Sequence, residues 1–361
     1  MKRPLFTTLA AILAGTLLFS IIIFACKNKN ITKASAENSA ISIGVFIPGV
    51  RSGSAVYEML AQGVQAGVEA YNAKADENQA AVTVIEGGYN QAEWENKITS
   101  MAASGSYNLI VSANPSLPDI VSRVSVKFPQ QYFLLLDGEL GANPRVYTLR
   151  YNQREQAYMA GYIAALETEE FAATGGKNPS GIVRQIGLVA AQEYPVMNQV
   201  ILPGFLEGAR AVHPAYTVDF RIVGNWYDAA KAAELAADMI QGGGIKVLLC
   251  IAGGANEGVV NTASQHGAKV VWFDTNGYAI RPGTVIGSAV LYQDTAAFNQ
   301  VQRYLEGILP FGTAETLGVN DGYVDFIEDD PLYREAVSPL TREKQAAMIG
   351  RIRSGELVLN L

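Results

Sequence analysis

Cysteine and histidine are scarce in this sequence: the 361 residues include two of each. Cys26, His213, Cys250 and His266 are scattered along the chain, so a zinc cluster and a disulfide scaffold are both excluded. Positive charge is also short, with 27 Lys+Arg against 34 Asp+Glu and a formal net charge of −7. A general nucleic-acid binder needs the opposite balance, because it must neutralise phosphates. No Ser sits in a G-x-S-x-G elbow, and no G-x-x-x-x-G-K-[ST] phosphate loop occurs. Gly242-Gly243-Gly244-Ile245-Lys246 leads into a strand-like run rather than a helix, the wrong context for phosphate. His213 and His266 read as exposed loop residues, so nucleophilic catalysis with a His base is not expected. Neither a metal nor a cofactor is called for. What the chain does have is apolar: 49% hydrophobic against 17% charged residues, which supports a large core and excludes disorder. At this length the core divides into two domains.

The first 40 residues read as address rather than fold. Lys2 and Arg3 precede an uncharged stretch, 5–25, which ends in Ile23-Phe24-Ala25-Cys26. That tetrapeptide resembles a bacterial lipobox, aliphatic three places before the Cys and small one place before it. It predicts a signal peptide over 1–25, lipidation at Cys26 and a polar tether over 26–40. The expected location is a bacterial membrane, lipid-anchored and exposed to the periplasm or the cell exterior. An uncleaved transmembrane anchor is the alternative, since about 20 apolar residues span a bilayer. Cys250, within an apolar run, reads as a buried core thiol.

From residue 41 onward, short β-branched runs alternate with longer helical patterns, the mark of parallel βαβ units. Predicted strands cover 41–48, 81–88, 107–113, 132–138 and 145–151, then 185–191, 217–223, 245–251, 269–275 and 284–290. Start-to-start spacings are 40, 26, 25 and 13 in the first set and 32, 28, 24 and 15 in the second. The shared rhythm implies two doubly wound domains of one plan. Helices are expected over 56–71, 153–166 and 229–240, the last with Asp228 as N-cap and Gly242–244 as its end. Gly63 and Gly67, four apart beside the apolar face of the first, are expected to allow close approach to a sheet. The run 175–180 (GGKNPS) reads as a loop inside the second half.

In open parallel sheets, ligands bind beyond the carboxyl ends of the strands, where strand order reverses. The residues just after each strand are therefore the candidates. Asp137 and Asp274 end apolar strands at equivalent points of the two halves, and carboxylates accept from vicinal hydroxyls or from base N–H groups. Trp226 follows a strand in a polar setting and suits stacking on a flat ring, with Tyr57 facing it from the other half. Gly254 lies in a glycine-rich strand-to-helix turn whose N–H groups can meet a ligand oxygen. Ser54, Asn114 and Tyr292 complete the set of ligand-binding candidates. Paired carboxylates also serve glycoside hydrolysis, so a secreted hydrolase stays open.

At these residues the chain resembles the basic membrane protein family of bacterial lipoproteins, best known for purine nucleoside receptors. The stretch 147–166 (YTLRYNQREQAYMAGYIAAL) is similar to the family's F-x-x-x-Q-x-x-Y-L-A-G-Y-x-A pattern, and Pro203–Ala209, Asn225–Asp228, Ile251–Gly258 and Val271–Asp274 also resemble it. The resemblance implies a type I periplasmic-binding-protein fold, α/β, with two doubly wound parallel-sheet lobes joined by a three-strand hinge. The expected lobes are 41–149 plus 288–312 and 150–287 plus 313–361, crossing near 147–152, 288–292 and 312–319. It implies a binding protein, not an enzyme, that closes on a small neutral solute, a purine nucleoside first, and delivers it to ABC permease and ATPase subunits. A sugar or another small solute, or a sensor or surface role without transport, are the alternatives. Two positions depart from the family pattern. Its Asp-Ser-Phe-Asn loop reads here as Arg51-Ser52-Gly53-Ser54-Ala55-Val56-Tyr57, and its Ser-x-x-Lys reads Ser288-Ala289-Val290-Leu291.

Overall fold

The computed structural model describes residues 41–75, 79–174 and 183–361. The signal, Cys26 and tether expectations, like the 175–180 loop, lie outside the described residues. The first sheet is built from β1 (Ile41–Ile47), β2 (Ala80–Glu86), β3 (Leu109–Ala113), β4 (Tyr132–Leu136) and β5 (Val146–Tyr151). Helices α1 (Ala55–Asn72), α2 (Trp94–Ala103) and α3 (Leu117–Lys127) connect its first four strands. Helix α4 (Gln153–Thr174) leads into β6 (Gln185–Ala190), β7 (Thr217–Ile222), β8 (Val247–Ile251), β9 (Lys269–Asp274) and β10 (Val285–Leu291). These are connected by α5 (Leu202–Val212), α6 (Ala229–Ala237) and α7 (Asn256–Gln265). The chain closes with α8 (Gln293–Leu305), β11 (Ala314–Leu317), β12 (Val324–Phe326), α9 (Pro331–Ala336) and α10 (Pro339–Arg353).

Strand order is β2-β1-β3-β4-β5-β11 in one sheet and β7-β6-β8-β9-β10-β12 in the other, the same plan twice. All ladders are parallel except β10–β12. Each order reverses beside its first strand, between β1 and β3 and between β6 and β8, which marks the point where such sheets take ligands. The central strands β3 and β8 are buried along their whole length, as strands covered on both faces must be.

All ten predicted strands form within two residues of their expected bounds. Two were missed: β11 and β12 are four and three residues long, too short for a periodic signal. They also move the lobe boundaries. Every residue of β10 belongs to the second sheet, and β11 pairs with β5 in the first. The crossings fall at Asn152 and Tyr292, inside the expected 147–152 and 288–292, and between Leu317 and Val324, at the end of the expected 312–319, so that the lobe bounds at 149/150, 287/288 and 312/313 shift towards them. They are laced together. Asn152 N–H donates to Leu317 O at 2.8 Å, Tyr292 N–H to Tyr323 O at 3.0 Å, and Val319 N–H to Glu155 Oε2 at 2.8 Å.

Asp228 caps α6, its carboxylate accepting from Lys231 N–H at 2.9 Å, and the helix runs on through one wide turn to Gly243 and Gly244. Gly63 and Gly67 allow close approach, but to a helix. A Cβ at Gly63 would lie 2.2 Å from Asp294 O, and one at Gly67 would lie 3.2 Å from Phe298 O, both on α8. That contact binds α8 to the first lobe although its strand, β10, lies in the second. Cys250 is fully buried, and burial pushes its thiol well above the ordinary range, as expected of a core cysteine. No helix among the described residues is long and apolar enough to cross a membrane.

Candidate functional site

The carboxyl edges of the two sheets hold the candidates, and local backbone explains how each is aimed. Asp137 follows β4 at φ 55° and Asp274 ends β9 at φ 71°. Only one other non-glycine among the described residues, Ala142, has a positive φ. This left-handed backbone costs about 1–2 kcal/mol per residue and is tolerated best by Gly, Asn and Asp. Two aspartates bear that cost at the same place in two copies of one plan, which is how strain marks a functional edge. Ala113 pairs with Leu136 in the ladder, so Asn114 and Asp137 leave the first sheet side by side.

Asp137 feels the charge of Asp274 from the other lobe. Burial raises Asp137 from 3.8 to about 8, with the charge of Asp274 contributing. Burial raises Asp274 to about 6, opposed by a hydrogen bond from Gln156 Nε2 at 3.1 Å. Gln156, in the first turn of α4, is fully buried; its amide also donates to Ala289 O at 3.0 Å, and its Oε1 has no partner among the described residues. Tyr194, after β6, is raised by burial and then by Asp137 and Asp274, so its phenol stands near both. Tyr151, at the end of β5, feels the same two carboxylates.

Tyr57 also belongs to this group. Burial lifts its phenol to about 12, with Asn114 opposing and Asp137 adding. Asn114 Nδ2 donates to its hydroxyl at 3.2 Å, leaving the phenolic proton free to donate elsewhere. Its ring rests on Gly49, where a Cβ would come within 2.8 Å of Cε2. Trp226 is half-buried beside Tyr194, ring centroids 6.5 Å apart. Its turn is fixed by Asn225, whose side chain accepts from Tyr227 N–H and Asp228 N–H, and by Ala255 N–H on Trp226 O at 3.3 Å. That last bond sets the glycine-rich turn with Gly254 directly against Trp226. Ser54 precedes α1 and makes no capping bond with its hydroxyl.

Tyr292 stands at the hinge. Tyr292 is the residue between β10 and α8; its phenol is raised by burial, then by Asp325 and Asp329 on the hinge side, and not by the aspartate pair. Tyr151, Tyr194 and Gln156 occupy the place expected of it. Tyr194 follows a strand and was within reach of sequence reasoning; Tyr151 and Gln156 flank the crossing into α4, inside the 147–166 stretch that resembles the family, but nothing in that stretch marks them as site residues. The histidines sit before β7 and β9, at the amino ends of strands, so neither reaches the carboxyl-edge site. Among the described residues no group of His, Cys, Asp and Glu could hold a metal ion.

The far side of the cleft is spanned by aromatics. β2 and β7 are the sheet edges opposite the hinge strands. Tyr89, after β2, meets Tyr227, after β7, edge to face with centroids 5.7 Å apart, although they are 70% and 64% exposed. These two exposed rings make a contact between the two lobes at the edge opposite the hinge.

The raised carboxyls give a stability signature. The unfolded Asp137 carboxyl titrates near 3.8 and the folded one near 8, so between these values the folded state holds more protons and stability falls as pH rises. Asp137→Asn removes that slope. The ligand-free variant should match the wild type below about pH 3.8 and exceed its Tm increasingly up to pH 8, by roughly 2 °C per kcal/mol relieved. A thermal melt series across this window checks it; parallel curves would refute it.

Comparison with known proteins identifies the family and the fold. Residues 40–357 match the family model Bmp, described as ABC transporter substrate-binding protein PnrA-like. The chain is 22% identical over 292 residues to the CD4+ T-cell-stimulating antigen of Listeria monocytogenes, covering 74% of this chain and 77% of the relative. It is 26% identical over 236 residues to the ABC transporter nucleoside-binding protein BmpA of Lactococcus lactis, covering 61% and 63%. A solute-binding protein of an ABC transporter system from Aeropyrum pernix superposes with a TM-score of 0.74 at 21% identity, over 89% of this chain and 93% of that one. The fold is the type I periplasmic-binding-protein fold, and the family consists of binding proteins rather than enzymes, which sets the hydrolase alternative aside. The chain belongs to the Bmp family of PnrA-like ABC transporter substrate-binding proteins.

Proposed function

We propose that the cleft captures a nucleoside, a purine nucleoside first, by closure of the two lobes, and presents it to the permease and ATPase subunits of an ABC importer. One observation carries this reading: Asp137 and Asp274 converge from equivalent strand ends, with the rings of Trp226, Tyr194 and Tyr57 around them. A flat heterocycle fits rings, and hydroxyls with ring N–H groups fit carboxylates. The Lactococcus relative, named as nucleoside-binding, supports the same class. In this reading Asp137, Asp274, Trp226, Tyr57, Asn114 and the Gly254 turn contact the ligand, and Ser54 lines the entrance. Tyr89 and Tyr227 hold the mouth shut, which slows escape.

Family members work in the periplasm or outside the cell. Ile23-Phe24-Ala25-Cys26 supports a lipid at Cys26 as the anchor. Cys26→Ser should move the protein from the membrane fraction to the soluble one; retention in the membrane would argue for an uncleaved helix.

A thermal-shift screen of nucleosides and sugars tests the ligand class. A bound nucleoside at about 100 times Kd adds roughly 2.7 kcal/mol, and Trp226→Ala should weaken it by about 1–3 kcal/mol, the worth of a stacked base. Stabilisation by sugars alone would replace the nucleoside reading with the sugar one.

A further inference from the structure

We propose that the solute this cleft selects carries a positive charge, so that among nucleosides, on which reading this inference rests, cationic forms are preferred to their neutral parents. The cleft offers negative charge and acceptors and no compensating cation. The groups that perturb Asp137, Asp274, Tyr57, Tyr151 and Tyr194 include no Lys, Arg or His. Among the described residues Asp137 has no hydrogen-bond partner, and Asp274 has only the neutral amide of Gln156. The strand beside Asp274 brings apolar side chains: Val290, its ladder partner, and Leu291 are both buried. Arg51, on the loop before Tyr57, is held by Glu58 at 2.9 Å.

Two like charges sharing one half-buried site are costly, and the cost is relieved by a proton or by a cation. A neutral solute leaves that relief to a proton on one carboxyl. A cationic solute replaces the proton, pairs with both carboxylates and rests against the faces of Trp226, Tyr194 and Tyr57, whose π systems attract positive charge. The sequence lacks positive charge in this region for a reason: the ligand supplies it.

The test compares solutes that differ in charge. Wild-type protein, purified and stripped of bound ligand, is titrated by calorimetry with adenosine and 1-methyladenosine at pH 7, and with guanosine and 7-methylguanosine at pH 6. At least one methylated cation should bind about tenfold or more tighter than its neutral parent, within the range of a desolvated cation–π and carboxylate contact. In Asp137→Asn and Asp274→Asn the ratio of cation to parent should collapse towards one, whatever the absolute affinities. Neutral parents that match or outbind both cations overturn the charge inference and leave the nucleoside reading standing. If no nucleoside binds, that reading fails, and 1-methylnicotinamide against nicotinamide then decides the charge inference alone: preference for the cation supports it, and no preference overturns it.

Discussion

Asp137 and Asp274 would be easier to hold apart. Each carboxylate is half-buried at the end of an apolar strand, in left-handed backbone, and Asp137 feels the charge of Asp274. Much of the rest of the molecule makes that arrangement possible. The duplicated sheet plan brings equivalent strand ends face to face, the laced crossings fix the angle between lobes, and Gln156 reaches out of α4 to steady Asp274 with an amide rather than a charge. A site so expensive when empty favours whatever solute offers donors or charge to both aspartates at once.

The hinge and the mouth share one axis. β5, β10, β11 and β12 lie at one side of the paired sheets and β2 and β7 at the other. Closure about the first side moves the second farthest, and there Tyr89 meets Tyr227. Because α8 packs on α1 through Gly63 and Gly67 while its strand stays in the second sheet, the crossing at Tyr292 is tied to the helix whose first turn carries Tyr57. Gln293, donating to Val56 O at 2.9 Å, makes the same connection with a hydrogen bond. Ligand contact and lobe angle are therefore parts of one structure.

The sequence revealed the sheets better than the hinge. Strands such as β3 and β8, buried from end to end, announce themselves as apolar runs, and the repeated spacing exposes the duplicated plan. β11 and β12 are too short and too polar to do so; their place follows from pairing with β5 and β10, which is a tertiary fact. The same divide runs through the site. Asp137, Asp274 and Trp226 stand out because a polar or aromatic residue follows an apolar strand. Tyr151 and Gln156 do not, since a Tyr closing a strand and a Gln opening a helix are ordinary until the lobes meet. For Tyr292, position after a strand says nothing of which side the phenol takes.

The central claim is that this cleft holds an aromatic, donor-bearing solute and releases it unchanged. The most direct measurement is mass spectrometry of what leaves the protein on denaturation, after purification from its own cells without added ligand. The account predicts an intact nucleoside in near-stoichiometric amount. A sugar, or separated base and ribose as products of cleavage, would contradict it.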